Sequence, residues 1–142
     1  MRSFILRACV LSVAALTGVV VPGCAGAIDT LPTTPTPIPV TETFTGQVNI
    51  NGSSTTNFFT SATGAVIATL TSLGDNPPEK VGFSMGTMSG STCSIVLRND
   101  NAVVTSVIAG TVSTLAGSLC ISVYDVGALT ETVPYTFTVT HP

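Results

Sequence analysis

The chain has 142 residues, and its four Lys or Arg against seven Asp or Glu give a formal net charge of −3 at pH 7. Charged residues make up 8% of the chain, and beyond residue 24 the only basic side chains are Lys80 and Arg98. Nucleic acids and anionic membrane surfaces are bound through clustered Lys and Arg, so this composition argues against both as partners.

The first 23 residues have the layout of a secretory signal peptide. Arg2 and Arg7 precede an apolar run, which is followed by small residues. The run is interrupted by Gly18 and ended by Pro22, whereas a membrane-spanning helix needs about 20 predominantly apolar residues. The sequence therefore predicts export, with residues 1–23 removed from the folded protein.

The stretch "VVPGC", which ends at Cys24, resembles the lipobox of bacterial lipoproteins. That resemblance implies a lipidated Cys24 and a protein anchored in a membrane of the cell envelope, since two or more acyl chains anchor stably. Cleavage after the "AGA" of residues 25–27 is the alternative, and it would give a soluble secreted or periplasmic protein.

Residues 24–41 are predicted to form a linker. Most of this segment is "IDTLPTTPTPIPVT", whose Thr and Pro content favours an extended spacer over packed structure. Residues 42–142 then form one domain of about a hundred residues, which is enough for a single two-layer core.

The domain shows eight strand-like segments. They are short, evenly spaced and rich in Val, Ile, Thr, Phe and Tyr, and Gly, Asn, Asp, Pro or Ser separates them. In chain order they are "TFTGQVNI", "STTNFFTS", "AVIATLTSL", "KVGFSMGTM", "TCSIVLRN", "VVTSVIAG", "LCISVYDV" and "YTFTVTH". We predict an all-β chain forming an antiparallel β-sandwich of seven or eight strands, with Asn51-Gly52 as a hairpin turn between the first two.

Two cysteines, Cys93 and Cys120, remain in the domain. An exported chain with two such cysteines is predicted to pair them, because the periplasm and the cell surface are oxidising. The alternative, a metal site, lacks partners, since the sequence has no C-x-x-C and its only histidine is His141.

Strand alternation leaves the geometry of this disulfide open. Cys93 is predicted to share a face with Ile95 and Leu97, which is apolar. Cys120 is predicted to lie opposite its apolar neighbours and beside Ser122. The two cysteines are thus expected on faces of different polarity, whereas a disulfide requires Cβ atoms within about 4.5 Å.

Residues 82–86 fit the G-x-S-x-G pattern of serine hydrolases, with Ser84 in the nucleophile position. Asp125 and His141 follow in the chain order of a hydrolase triad. The pattern requires a sharp turn from a strand into a helix, and the following "TMSGSTC" cannot start a stable helix. We predict a non-enzymatic protein in which this strand needs small residues because another layer comes close.

Asn99, Asp100 and Asn101 are weak calcium candidates. Their side chains would offer oxygen ligands in a turn, and Ca²⁺ prefers oxygen. Asn and Asp also favour turns for their own backbone hydrogen bonds, and the cluster carries only one charge. The sequence therefore predicts no metal site and no cofactor.

The order of motifs resembles that of the bacterial pre-peptidase C-terminal domain. The resemblance rests on "F-x-G-x-V" at residues 44–48, "NDNA" at residues 99–102, "AGSLCISVYDVG" and "VPYTFTV", and it covers nearly all of residues 42–142. It implies a jelly-roll-like β-sandwich. Domains of that family usually follow a secreted protease or other hydrolase, where they assist secretion or bind a polymeric substrate. This chain departs from the family at Leu119-Cys120, where an aromatic pair is common.

These observations predict an exported, non-enzymatic binding or structural module, anchored through Cys24, with no residue assigned to a polymer or protein ligand. The alternative is an accessory module that binds substrate or assists secretion for a secreted protease or polysaccharide hydrolase.

Overall fold

The computed structural model describes residues 36–114 and 116–142. They form eight strands: β1 (Val40–Val48), β2 (Ser53–Thr60), β3 (Gly64–Ser72), β4 (Val81–Ser89), β5 (Thr92–Ala102), β6 (Val107–Val112), β7 (Gly117–Tyr124) and β8 (Val133–His141). No helix long and apolar enough to cross a membrane occurs in this part of the chain. The signal peptide, Cys24 and the first part of the predicted linker lie outside the described residues.

The strands form two antiparallel sheets of four. Sheet A has the order β1-β8-β3-β6, and sheet B has the order β2-β7-β4-β5. The first strand pairs with the last, the second with the seventh, the third with the sixth and the fourth with the fifth. The chain is therefore one long antiparallel ribbon wound into two sheets, which is the jelly roll. The predicted all-β, jelly-roll-like sandwich is confirmed.

The core lies between the two sheets and follows the alternation of side chains along each strand. In β8, alternate residues from Val133 to His141 are buried, and Phe137 is fully buried. The ring of Phe137 lies 5.2 Å from that of Phe44 and 5.9 Å from that of Phe83 in sheet B, measured between centroids. Burying each such side chain stabilises the fold by about 1.5–3 kcal/mol, so this cluster helps to hold the sheets together.

The predicted hairpin at Asn51-Gly52 is wrong, although the turn itself is present. The Gly52 N–H donates to the Asn49 carbonyl oxygen at 2.9 Å, and Asn51 has a φ of 55°. However, β1 lies in sheet A and β2 in sheet B, so the turn passes between the sheets. The dipeptide specifies a tight local turn. The sheet that each flanking strand joins is determined by its partner from the other end of the chain, which is β8 for β1 and β7 for β2.

Strand β1 begins at Val40, two residues before the predicted start of the domain. Val40 pairs with His141 and Thr41 with Thr140, where the two threonine hydroxyls lie 2.8 Å apart. Residues 36–39 are exposed and have no regular structure. The last two residues of the predicted linker therefore belong to sheet A.

Candidate functional site

Ser84 is a buried residue of strand β4, with 0% of its surface exposed. Its hydroxyl donates to the Ser122 carbonyl oxygen at 3.5 Å. On either side, the ring of Tyr124 covers Gly82, and the backbone of Ser94 lies against Gly86, so closely that neither glycine has space for a Cβ atom. The prediction that this strand needs small residues is confirmed.

The structure does not bring Ser84, Asp125 and His141 together. Phe83 and Met85 point into the core, so the Ser84 side chain faces away from it on the outer side of sheet B. His141 belongs to the inward face of β8 in sheet A, where its ring lies 5.3 Å from that of Phe58. Sheet B thus separates the serine side chain from the histidine ring, and no triad can form.

Asp125 ties together two chain segments at one end of the sandwich. Its Oδ2 accepts a hydrogen bond from the Asn51 backbone at 2.8 Å. Its Oδ1 accepts from the backbones of Gly127, Ala128 and Leu129 at 2.7, 2.9 and 3.2 Å. The N–H of Asn51 contributes most to lowering the pKa of Asp125, and the other three N–H groups add to it against an opposing effect of desolvation. The carboxylate therefore has a structural role.

The calcium candidates Asn99, Asp100 and Asn101 lie within strand β5, not in the predicted turn. The register between β4 and β5 shifts at this point. The Asn99 Oδ1 accepts from the backbone N–H of Asn101 at 2.9 Å, which is the local bonding that Asn offers at irregular backbone. The Asn101 Oδ1 accepts from the ammonium group of Lys80 at 3.3 Å. Both amide oxygens are thus bound to protein donors.

Asp100 is bound in the same way. One carboxylate oxygen accepts from the Tyr124 hydroxyl, and the other lies 3.0 Å from the Arg98 guanidinium. Burial, the hydrogen bond to Asp100 and the charge of Asp100 raise the pKa of Tyr124 to about 12, against a smaller opposing effect of Arg98. Within the described residues, no three acidic, His or Cys side chains are placed to hold a metal ion.

The predicted disulfide between Cys93 and Cys120 is present, and it crosses a strand. Cys93 lies in β5 and Cys120 in β7, while β4 runs between these two strands in sheet B. Strands two places apart in a sheet are separated by about 9.6 Å, because neighbours lie about 4.8 Å apart. The Cα atoms of the two cysteines are only 6.0 Å apart. Strand β5 therefore folds over β4, and Gly86 leaves the space for it.

A β-bulge at Val96 explains why the two cysteines share a face. Met85 pairs with Leu97, but the next residue, Gly86, pairs with Ile95, so Val96 is left without a partner. A bulge of one residue reverses the alternation of side chains beyond it. Cys93 therefore lies on the opposite face from Leu97, and the expectation that they share one face is wrong.

A regular set of threonines on the outer face of sheet A was not predicted as a site. Three pairs lie directly opposite each other on β1 and β8, and one more lies beside them on β3. We call these seven residues the threonine array: Thr41, Thr43, Thr45, Thr69, Thr136, Thr138 and Thr140. The sequence signal is the T-x-T-x-T spacing of residues 41–45 and 136–140. This spacing is already explained by a β-strand, so the sequence alone does not identify it as a surface pattern as well.

The array is exposed on β1 and half-exposed on β3 and β8. Its members repeat about every 4.8 Å across the strands and about every 6.7 Å along them, given the dimensions of antiparallel sheets. Within the described residues, only Thr41 and Thr140 use their array hydroxyls in a hydrogen bond to protein, and they bond each other. The remaining five hydroxyls are available to a ligand or to water.

The outer face of sheet A carries no charged side chain among the residues described. Beside the array it presents Gln47, Pro134 and small or apolar side chains of β3 and β6. The charged residues of the described chain lie on the inner side of β1, on β5, or in the segments after β3 and β7: Glu42, Asp75, Glu79, Lys80, Arg98, Asp100, Asp125 and Glu131. An acidic protein thus presents one entirely neutral face.

A second candidate is an apolar cleft between the edge strands β5 and β6. Its volume is about 300 Å³, and Met85, Leu97 and Val112 are among the side chains that line it. Gly110 leaves it open, because a Cβ atom there would lie 3.3 Å from the nearest methyl carbon of Leu97. At its rim Val96 is 69% exposed. The cleft has room for an apolar group, but it contains no charged side chain to orient one.

Comparison with known proteins adds no assignment. No protein-family model matches the chain, and no curated protein gives a significant match. The resemblance to the pre-peptidase C-terminal domain therefore stays a prediction that rests on short motifs. The features of the molecule that bear on function are the geometry and charge of the threonine array and the cleft.

Proposed function

We propose that this protein is a non-enzymatic, exported binding module that holds a neutral, repeating ligand against the threonine array. It is anchored in the cell envelope through a lipid on Cys24. The observation that carries the proposal is the absence of charge from the described outer face of sheet A. The described chain has only eight charged residues and none of them lies on this face, so a neutral ligand can cover the face without desolvating a charge.

A neutral face suits a neutral ligand because little solvation is lost on contact. Charged side chains must be stripped of water or paired when a surface covers them, and both cost free energy. Threonine offers a hydroxyl that can exchange water for a ligand oxygen and a methyl group that gains from burial. Each contact is weak, so useful affinity requires many identical contacts made together, as in multivalent binding.

The position of the array fits an anchored module. Strand β1, which carries Thr41, Thr43 and Thr45, begins directly after the Thr- and Pro-rich linker. That linker would hold the domain away from the membrane. The alternative function, an accessory module for a secreted hydrolase, uses the same face with the polymer substrate as its ligand. The two differ in whether the chain is lipidated at Cys24 or released near Ile28.

The absence of an enzymatic role is supported by the surroundings of the strongest nucleophile candidate. Ser84 is buried, its hydroxyl is bonded to the Ser122 backbone, and His141 lies beyond sheet B. A substrate carbonyl could reach that oxygen only if the residues that bury Ser84 moved aside.

The test is retention of the full-length protein on uncharged repeating solids, namely ice, cellulose and chitin. The double variant Thr43→Lys/Thr136→Lys places two ammonium groups in the array. The matched control Asn57→Lys/Ser118→Lys places two on exposed positions of neighbouring strands in sheet B. We expect the wild type and the control to be retained on at least one solid and the array variant to be lost. Equal behaviour of the two variants, or no retention of the wild type on any solid, would contradict the proposal.

A further inference from the structure

His141 is the single histidine of the chain, and its ring is buried at one end of the sandwich. Only 7% of its side chain is exposed, and the ring centroid lies 5.3 Å from that of Phe58. Nδ1 lies 3.1 Å from the carbonyl oxygen of Pro142, whereas Nε2 has no hydrogen-bond partner. Among the residues described, Nε2 is the one buried side-chain nitrogen or oxygen atom left unpaired, which costs free energy.

The bond made by Nδ1 determines where the neutral ring carries its hydrogen. A carbonyl oxygen only accepts hydrogen bonds, so the hydrogen is on Nδ1 and Nε2 is left as a bare acceptor. Nε2 faces the carboxylate of Glu42 on strand β1, with 3.6 Å between Nε2 and Oε2. A carboxylate also only accepts. The neutral ring and Glu42 therefore lie side by side without a hydrogen bond.

Protonation of the ring turns this contact into an ion pair. Imidazolium carries a hydrogen on both nitrogens, so Nε2 becomes a donor directed at Glu42 while Nδ1 keeps its bond to Pro142. The proton comes from solvent, and no other bond is made or broken. We propose that His141 is a proton-binding site whose charged form ties strand β1 to strand β8 through Glu42.

Glu42 is the only charged group of the described chain that faces this ring. Strands β2, β3, β6 and β7 carry no charged residue, and neither do the loops at the same end of the sandwich, residues 61–63, 90–91 and 113–116. The segments after β3 and β7, which hold five other charged residues, lie at the opposite ends of those strands. The remaining two, Arg98 and Asp100, lie on β5, three strands away from β2 and Phe58 in sheet B. No second charge competes for the protonated ring.

The ion pair would act on the strand that is held least. Strand β1 is an edge strand bonded only to β8, and its first residue, Val40, pairs with His141. The Glu42 side chain is 44% exposed, so water screens the ion pair and its effect is small. We therefore expect a local effect at the start of β1, next to the Thr- and Pro-rich linker. Mildly acidic surroundings hold this strand end more firmly than alkaline surroundings.

The experiment is hydrogen exchange of the β1 backbone amides in the full-length protein at about pH 8 and about pH 5.5, a range in which histidine gains its proton. Exchange is expressed as a protection factor, which removes the effect of pH on the intrinsic rate. Protection of residues 41–44 is expected to rise by about two- to five-fold in acid. Asp125 stays ionised at both values, because its pKa is below 3.8. The ring nitrogen chemical shifts should show hydrogen on Nδ1 alone at the higher pH and on both nitrogens at the lower.

Variants separate the ion pair from other effects of pH. Glu42→Gln offers an amide that can donate to the bare Nε2 or accept from the protonated ring, so it should bond both forms and lose the rise in acid. His141→Phe keeps an aromatic ring beside Phe58 and should lose the rise as well. Glu131→Gln removes a carboxylate from an exposed position at the other end of the sandwich and should behave like the wild type. Unchanged or lower protection of wild-type β1 in acid would overturn the proposal, and so would a full rise in Glu42→Gln.

Discussion

Cys93 and Cys120 are joined by a disulfide although strand β4 lies between the strands that carry them. The bond is reached because β5 bends over β4 at the Val96 bulge and because Gly86 beneath it has no side chain. The G-x-S-x-G pattern therefore lies where strand β5 crosses over β4. Its second glycine, Gly86, leaves the space that the disulfide requires.

Gly86→Ala is expected to destabilise the protein by about 1–3 kcal/mol, because the added methyl group meets the Ser94 backbone and forces β5 away. The free energy of unfolding in urea measures this. Gly117→Ala is the control, since a Cβ atom there meets its nearest neighbour at an ordinary 3.7 Å. Equal stability of the two variants would contradict the close approach at Gly86.

Replacing both cysteines, Cys93→Ser/Cys120→Ser, is expected to lower the free energy of unfolding by roughly 3–4 kcal/mol. The disulfide closes a loop between residues 27 positions apart, and the entropy of that loop in the unfolded chain accounts for this magnitude. Urea unfolding of the wild type with and without reductant provides the comparison. Reduced wild type should unfold like the double variant, and an unchanged midpoint on reduction would show that the bond does not stabilise the fold.

Asp125 is expected to make stability fall in acid. Backbone N–H groups lower its pKa in the folded state below the value of 3.8 for the free side chain. Folding therefore favours the ionised form, and this stabilisation is complete above the unfolded pKa and is lost as pH falls through the folded pKa. Unfolding measured between neutral pH and pH 2 should show the loss in wild type, and Asp125→Asn should lack this component.

Asp75→Asn serves as the control for the loss of one negative charge, because Asp75 lies in an exposed loop outside this cluster. If the stability of the wild type and that of Asp125→Asn vary with pH in the same way, the four hydrogen bonds to the Asp125 carboxylate do not contribute to stability.

Ser84 is expected to be inert towards fluorophosphonate probes, since its hydroxyl is buried and no base lies beside it. Ser84→Ala should cost only about 1 kcal/mol of stability, the contribution of one hydrogen bond. Labelling is detected by mass spectrometry of the intact protein. A probe adduct on the wild type that disappears in Ser84→Ala would contradict the proposal that the protein is non-enzymatic.

The sandwich could be predicted from sequence because it depends on local patterns. Alternation of buried and exposed residues, as from Val133 to His141, identifies a strand without knowledge of its partner. The turn at Asn51-Gly52 was equally local. The sheet that each strand beside the turn joins is not determined locally, because it depends on β7 and β8, which are far along the chain.

The errors at the site have the same physical origin. Regular alternation of side chains places Cys93 on the same face as Leu97. The bulge at Val96 reverses that alternation, and the bulge arises only when β5 pairs with β4. The threonine array was missed because Thr43 and Thr138 become neighbours only through pairing of the first and last strands. Each rank is visible in the sequence, whereas the two-dimensional pattern requires the fold.

The most direct test of the threonine array as the binding face is the fraction of protein retained on ice, cellulose and chitin by the two double lysine variants, measured side by side. We expect Asn57→Lys/Ser118→Lys to be retained like the wild type and Thr43→Lys/Thr136→Lys to be released from the solid that the wild type binds. Retention of the array variant at the wild-type level would place the binding surface elsewhere on the molecule.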